Sequence, residues 1–181
     1  MTASESVSTD PKSKFSGVDV FHILRARNWL SEEGPSPEQS AWIERAAALL
    51  GVKCSDSVAL HGLLSLIFHY DAQEILGTSD AHMVMSRYAA RDVIRKLANQ
   101  LLDPAPLTTE RFNEVVDALK SQLNIRGREL FHPLRLALAG RSGEGELDRV
   151  ILLLEGAAAA NFPVAVKSPR TRLIEFCSAL G

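Results

Sequence analysis

The sequence predicts an all-α fold, a bundle of helices, and three observations support this. Apolar residues recur three and four positions apart in most segments, as they do along one face of a helix. Residues that commonly cap helices stand just before several of these segments, in two cases followed directly by proline. No two segments alternate apolar and polar residues around a short turn, so the sequence does not predict paired strands.

The first three helices are predicted over residues 18–30, 37–51 and 57–70. Ser36 before Pro37 is an N-terminal capping signal for the second helix, and Gly51 ends it. Asp56 or Ser57 caps the third helix. Its wide apolar face predicts a central position in the bundle.

Two further helices are predicted before residue 125. One long helix is expected over residues 79–102, where apolar residues keep the helical period until Pro104 stops the helix. Thr108 or Thr109 caps the next helix, which ends near Asn124.

Residues 127–140 read GRELFHPLRLALAG and form the most informative stretch of the chain. Pro133 suits the first turn of a helix and Gly140 is a natural stop, so a short helix is predicted between them. Arg135 interrupts its apolar run, and arginine is rarely buried without a partner. Either its stem lies along apolar surface with the guanidinium in water, or the side chain is held rigidly for recognition.

The remaining residues predict two more helices. After a polar loop over 141–145, apolar residues on one side predict a helix over 147–154, which Gly156 breaks. Ser168 caps a last helix that begins at Pro169.

Three parts are predicted along the chain. Residues 1–14 are rich in Ser, Thr, Asp, Glu and Lys and predict a disordered tail. Residues 15–125 form a helical subdomain, and residues 126–181 form a smaller helical subdomain that carries the GRELFHPLRLALAG motif. The net charge is −2, but residues 126–181 hold 8 Lys and Arg against 6 Asp and Glu, whereas residues 1–125 hold 12 against 16. A local basic patch matters more for phosphate contact than total charge.

The pattern of reactive side chains predicts no catalysis. Cys54 and Cys177 match no metal or redox spacing and indicate reduced thiols in a cytoplasmic protein. The pairs of histidine and aspartate two residues apart would face different sides of a helix, so no metal site is predicted. No nucleophile elbow, glycine-rich phosphate loop, signal peptide or membrane-spanning run is present in the sequence. We therefore expect no cofactor, no metal and no membrane contact.

The motif over residues 127–140 resembles one in the C-terminal anticodon-binding region of bacterial glutamyl-tRNA synthetases. That family carries Gly-Lys/Arg-x-hydrophobic-Phe/Met-x-Pro-Leu-Arg-x-Ala-Leu/Val-Thr-Gly, then a Gly-Pro-x-Leu turn and a leucine-rich helix. The matching residues are Gly127, Arg128, Leu130, Phe131, Pro133, Leu134, Arg135, Ala137, Leu138 and Gly140. Ala139 stands where the family has threonine and Gly145 where it has proline, while Leu147 keeps the leucine.

The resemblance implies an all-α helical bundle like the anticodon-binding domains of that family, and a partner, the anticodon loop of a tRNA, with glutamate tRNA as the candidate. It implies that Arg135 and Leu147 contact anticodon bases. On physical grounds we expect the neighbouring Arg126, Arg128 and Arg141 to neutralise phosphates. The family's catalytic motifs lie in a separate N-terminal half and are not found in this sequence. The resemblance therefore implies a free-standing module that binds tRNA and is not itself an enzyme.

A second hypothesis is a former tRNA-binding fold that now contacts a protein partner. The acidic net charge and the replaced threonine favour it. The placement of the four arginines separates the two hypotheses: convergence on one open face favours RNA, and scatter favours protein contact.

Overall fold

The computed structural model describes residues 13–181, which form ten α-helices and no β-strand. The all-α prediction is confirmed. The helices are α1 (Gly17–Ala26), α2 (Pro37–Gly51), α3 (Ser57–Phe68), α4 (Ala72–Leu76), α5 (Ser79–Met85), α6 (Ala90–Leu101), α7 (Thr109–Leu123), α8 (Arg128–Ala139), α9 (Gly145–Ala159) and α10 (Pro169–Leu180). Within the described residues, no helix is both long and apolar enough to cross a membrane.

The predicted capping signals form as expected. Ser36 accepts a hydrogen bond from the Gln39 backbone N–H at 3.1 Å, and the Gln39 side chain accepts from the Ser36 N–H at 2.9 Å. Side chains also cap α3, α7 and α10, and these residues are Asp56, Thr108 and Ser168. Each satisfies a backbone donor that the first turn of a helix leaves unpaired.

The tail predicted over residues 1–14 lies largely outside the described residues. Of its last two residues, Ser13 packs against α2, where its hydroxyl donates to the Ala47 carbonyl at 2.9 Å. A Cβ on Gly51 would clash with the Ser13 hydroxyl, so this glycine leaves room for the chain to pass.

The single long helix predicted over residues 79–102 is wrong. The chain forms α5 and α6 instead, joined by a turn over residues 86–89. A continuous helix would carry Tyr88 one turn after the buried Val84 on the same stripe, yet Tyr88 is fully exposed. The turn lets α6 change direction and pack against α7, α8 and α10. The short α4, capped by Asp71, was not predicted either.

The predicted start of α8 at Pro133 is wrong, because α8 begins five residues earlier at Arg128. Pro133 therefore lies inside the helix, where its missing N–H removes one hydrogen bond, to the carbonyl of the exposed Glu129. Gly140 ends the helix as predicted, with φ of 91° and its N–H bonded to the Leu136 carbonyl.

The predicted break at Gly156 is also wrong, because α9 continues through it to Ala159. A Cβ on Gly156 would lie 3.1 Å from Cδ1 of Trp42. The Trp42 ring is fixed by a 2.9 Å hydrogen bond from its Nε1 to the Leu153 carbonyl. The glycine is therefore a close-packing position between α2 and α9, not a helix end.

The helices share one hydrophobic core. The helix α9 packs against α2, α3 and α8, and α8 and α10 both pack against α6. The aromatic ring of Phe162, which follows α9, contacts Trp42 and Phe68 edge-on at centroid distances of 5.2 Å. The predicted subdomain boundary at residues 125–126 falls in the loop between α7 and α8, and helices on both sides of it contribute to this core.

Candidate nucleic-acid interface

Arg135 is buried in the junction between α8 and α9, with 7% of its surface exposed. Its Nε and Nη2 donate to the two carboxylate oxygens of Asp148 at 2.8 and 2.9 Å. Its Nη1 donates to the Gly143 carbonyl at 2.7 Å, and the guanidinium lies 4.5 Å from the centroid of the Phe131 ring. A bidentate ion pair of this kind fixes both the position and the orientation of the guanidinium. Arg135 therefore connects α8, α9 and the loop between them.

Leu147 is fully buried in the first turn of α9. A Cβ on Gly143 would lie 2.7 Å from a methyl carbon of Leu147, so the loop over residues 140–145 packs directly onto this side chain. Contact between a base and Leu147 or Arg135 would require this loop to move away. The base contacts expected of these two residues stay a prediction.

A second contact fixes the same loop from the other side. Asp80 at the start of α5 accepts a 2.6 Å hydrogen bond from the Ser142 hydroxyl and a 2.9 Å hydrogen bond from the Ser142 N–H. The loop is therefore held between Arg135 and Asp80, which sets where the neighbouring Arg141 emerges.

The three arginines expected to contact phosphates are all exposed. Arg126 and Arg128 lie at the N-terminal end of α8, whereas Arg141 follows its C-terminal end. At 1.5 Å per residue the 12-residue helix separates these ends by about 18 Å. Arg126 and Arg128 lie two residues apart at one end of α8, whereas Arg135 is buried and Arg141 lies at the far end. The four arginines therefore do not converge on one open face, and by the criterion set from the sequence this scatter favours protein contact.

The structure adds a basic cluster around His132 that the sequence did not indicate. Nη1 of Arg87 lies 2.9 Å from Nδ1 of His132, and Arg128 lies one turn before His132 on α8. Partial burial lowers the pKa of His132, and the positive charges of Arg87, Arg128 and Arg135 lower it further, against an opposing effect of Glu144. The imidazole is therefore neutral near pH 7 and can accept the Arg87 hydrogen bond.

Further aromatic and basic side chains are linked to this cluster, either as chain neighbours or through Phe131, the residue before His132. Tyr88 follows Arg87 and is fully exposed, and the Lys120 ammonium lies 5.7 Å from the centroid of the Phe131 ring. We call this area the His132 surface. It consists of Arg87, Tyr88, Lys120, Arg126, Arg128 and His132. The Arg128 to His132 spacing was visible in the sequence, but Arg87 comes from a helix junction 45 residues away and could not be placed beside them.

Within residues 13–181 no three His, Cys, Asp or Glu side chains are arranged to hold a metal ion. Cys54 and Cys177 are free thiols. Burial raises the pKa of both, and for Cys54 the Asp56 carboxylate raises the pKa further. Neither thiol is therefore activated as a nucleophile at neutral pH.

The chain matches a family model described as an anticodon binding domain over residues 22–155. Glutamate–tRNA ligases from Desulforamulus reducens and Bacillus licheniformis are each 26% identical to it, over 129 and 137 residues. These matches cover 71% and 76% of this chain but 26% and 27% of the relatives. Glutamate–tRNA ligase 2 of Coxiella burnetii is 34% identical over 71 residues, which cover 37% of this chain and 15% of the relative.

The chain thus spans about a quarter of the length of the first two curated relatives. No solved structure matches it significantly. The resemblance inferred from the motif over residues 127–140 is confirmed, and the family match extends upstream of the motif as far as residue 22.

Proposed function

The chain belongs to the family of anticodon binding domains, and we propose from this premise that it binds tRNA and does not aminoacylate it by itself. The matched residues correspond to an anticodon binding domain, and the similarity to glutamate–tRNA ligases makes glutamate tRNA the first candidate. Because the four arginines expected at the RNA contact do not converge, the proposal is carried instead by the His132 surface, where Arg87 contacts His132 on the helix bearing the family motif and the exposed Tyr88 follows Arg87.

The chemistry of the His132 surface suits single-stranded RNA. Arg87, Arg126 and Arg128 present guanidinium groups that can pair with phosphate oxygens. Tyr88 is free to stack on an unpaired base, the usual way that proteins hold bases in RNA loops. The neutral His132 orients Arg87 without competing for phosphate.

Arg141 extends the proposed RNA contact to the far end of α8. The separation of about 18 Å between the two ends of α8 corresponds to roughly five stacked nucleotides at about 3.4 Å each. A tRNA loop could therefore contact the His132 surface at one end and Arg141 at the other.

For Arg135 and Leu147 the geometry supports a positioning role in this proposal. Arg135 holds the Gly143 carbonyl and Asp148, and Leu147 supports the loop from beneath. Together they would fix Arg141 relative to the His132 surface. Direct base contact by either side chain would instead require the loop to open when RNA binds.

Filter binding of total tRNA at about 50 and 200 mM salt tests the proposal, because phosphate contacts make affinity salt-dependent. We expect Arg87→Ala/Arg128→Ala to lower affinity roughly tenfold and to reduce the salt slope by about one to two. Arg45→Ala/Lys53→Ala removes the same charge from the exposed surface at the end of α2 and should bind like the parent chain. Equal losses in both variants would contradict the proposed location.

Two further measurements address identity and activity. Competition between purified glutamate tRNA and other tRNAs should show preference for glutamate tRNA if the anticodon is recognised. Incubation with glutamate, ATP and tRNA should leave the tRNA uncharged. Formation of glutamyl-tRNA by the purified chain would refute the proposal that it only binds.

A further inference from the structure

An apolar groove runs between α6 and α10, apart from the loop that follows α8. Two adjoining cavities of about 200 and 240 Å³ form it, and Ala98 and Cys177 line both. Leu101, Leu102, Leu173 and Ile174 complete the apolar part of the first cavity. The family match ends at residue 155, so α10, one wall of the groove, lies beyond it.

The walls of this groove expose large apolar side chains. Leu102 is 62% exposed and Ile174 is 55% exposed. A connected apolar surface of this kind, with charged residues around it, is typical of a site that another molecule covers. No aromatic ring is exposed in the groove for a base to stack on, so the lining favours a protein partner over RNA.

The groove has the dimensions of a helix-binding site. The helices α6 and α10 run antiparallel, because Arg170 at the start of α10 lies near Leu102, and Leu180 at its end lies near Arg91. Groove residues on α6 span eleven positions, which is about 16 Å or three helical turns at 1.5 Å per residue. A short amphipathic helix fills such a groove with apolar residues at every third or fourth position.

The rim of the groove is basic. Arg91, Arg95 and Arg170 line it, and all three are exposed. Asp92 lies 3.5 Å from Arg95 in a solvent-exposed ion pair. Such an exposed pair is too weak to neutralise the positive charge of the rim. On α10, Glu175 is engaged by Lys167 at 2.9 Å.

We propose that the groove between α6 and α10 binds an acidic amphipathic helix of a partner protein. Its apolar residues enter the two cavities, and its carboxylates pair with the three rim arginines. A second copy of this chain is a poorer occupant, because a symmetric interface through this groove brings the same arginines together. This binding site is separate in residues from the His132 surface and does not depend on tRNA binding.

Selection from a displayed library of 14-residue amphipathic helices with randomised charged positions tests the proposal on the full chain. We expect enrichment of peptides with Asp or Glu beside the apolar positions. Synthetic peptides with the selected sequences should bind at least tenfold more weakly to the Ile174→Asp variant. Their affinity for the Arg170→Ala variant should depend less on salt concentration than their affinity for the parent chain. Val58→Asp changes an exposed apolar residue at the start of α3 in the same way and should leave binding unchanged.

Two controls keep the result decisive. Circular dichroism melts should show that Ile174→Asp folds, as expected for an exposed side chain, and tRNA binding should be unaffected by it. Bound peptide should slow alkylation of Cys177, which lines both cavities, and leave alkylation of Cys54 unchanged. Enrichment without an acidic bias, binding that survives Ile174→Asp, or a dimer that protects Cys177 in the absence of peptide would overturn the proposal.

Discussion

Arg172 is a fully buried cation whose hydrogen-bond partners are main-chain carbonyls. Its guanidinium donates to Leu66 and Ile67 in the last turn of α3, at 3.0 and 2.7 Å, and to Leu138 in α8 at 3.1 Å. The carbonyl ends of helices carry partial negative charge, so they stabilise a positive group. Burial is the main cause that lowers the pKa of Arg172 to about 10, which leaves it charged at neutral pH.

We expect Arg172→Met to lower the free energy of unfolding by about 3–5 kcal/mol, because it removes the donors for several buried carbonyls at once. Arg172→Lys should recover part of this loss, since one ammonium group cannot reach all of these acceptors. Urea denaturation measures both. Arg170→Ala, two residues earlier and exposed, is the matched control and should cost less than about 0.5 kcal/mol.

His132 makes stability depend on pH. Its pKa in the folded chain is below the usual 6.5, chiefly through burial, so the unfolded chain binds a proton more readily. The contribution of neutral His132 to the free energy of unfolding is therefore fully present above pH 6.5. This contribution is lost as the pH falls below that value. Denaturation midpoints measured between pH 8 and pH 5 should fall more steeply for the parent chain than for His132→Gln. A steeper fall in the variant would contradict this assignment.

At the scale of the helices, the ion pair between Arg135 and Asp148 joins α8 to α9. Variants of each residue test whether Arg135 positions the loop or contacts a base. The two side chains are only 9% and 23% exposed, so removal of Asp148 leaves a charge with little water around it. We expect Asp148→Asn to cost about 2–4 kcal/mol in stability. If Arg135 positions the loop, Asp148→Asn and Arg135→Ala should weaken tRNA binding by similar factors.

The contrary result would be equally clear. Should Arg135 contact a base directly, Asp148→Asn would keep the tRNA affinity, because the guanidinium remains present and becomes freer to move. Only Arg135→Ala would then lose affinity. Both measurements are made on variants shown to be folded by their denaturation curves.

Two helical glycines should respond oppositely to the same substitution. Alanine stabilises an open helical position by about 0.5–1 kcal/mol relative to glycine. A Cβ on Gly62 in α3 meets open space, so Gly62→Ala should raise the free energy of unfolding by that amount. At Gly156 the Cβ would press on the hydrogen-bonded Trp42 ring, so Gly156→Ala should destabilise by about 1 kcal/mol. A thermal melt of each variant tests the signs.

At the scale of the molecule, signals that act within one helical turn predict most of the helices, whereas a contact between two helices accounts for the wrong break at Gly156. Capping residues such as Ser36 and Ser168 act within one helical turn, so the helix starts that they mark can be predicted from the sequence. The role of Gly156 depends on Trp42, which is far away in sequence. The burial of Arg135 could not be predicted for a similar reason. Its apolar neighbours identify the motif and also turn the side chain inward. Its partner Asp148 lies outside the motif, on the next helix.

The shared core predicts that the described chain unfolds as one unit, although the sequence suggested two subdomains divided at residues 125 and 126. Helix α9 packs on α2 and α3, and Arg172 links α10 to α3, so neither part buries its apolar surface alone. Native-state hydrogen exchange should therefore give the slowest amides of α2, α3 and α9 the same opening free energy, equal to the global value from denaturation. Arg172→Met should lower all of them together. Slow amides in α8, α9 and α10 that open at a separate, lower free energy would instead support two subdomains.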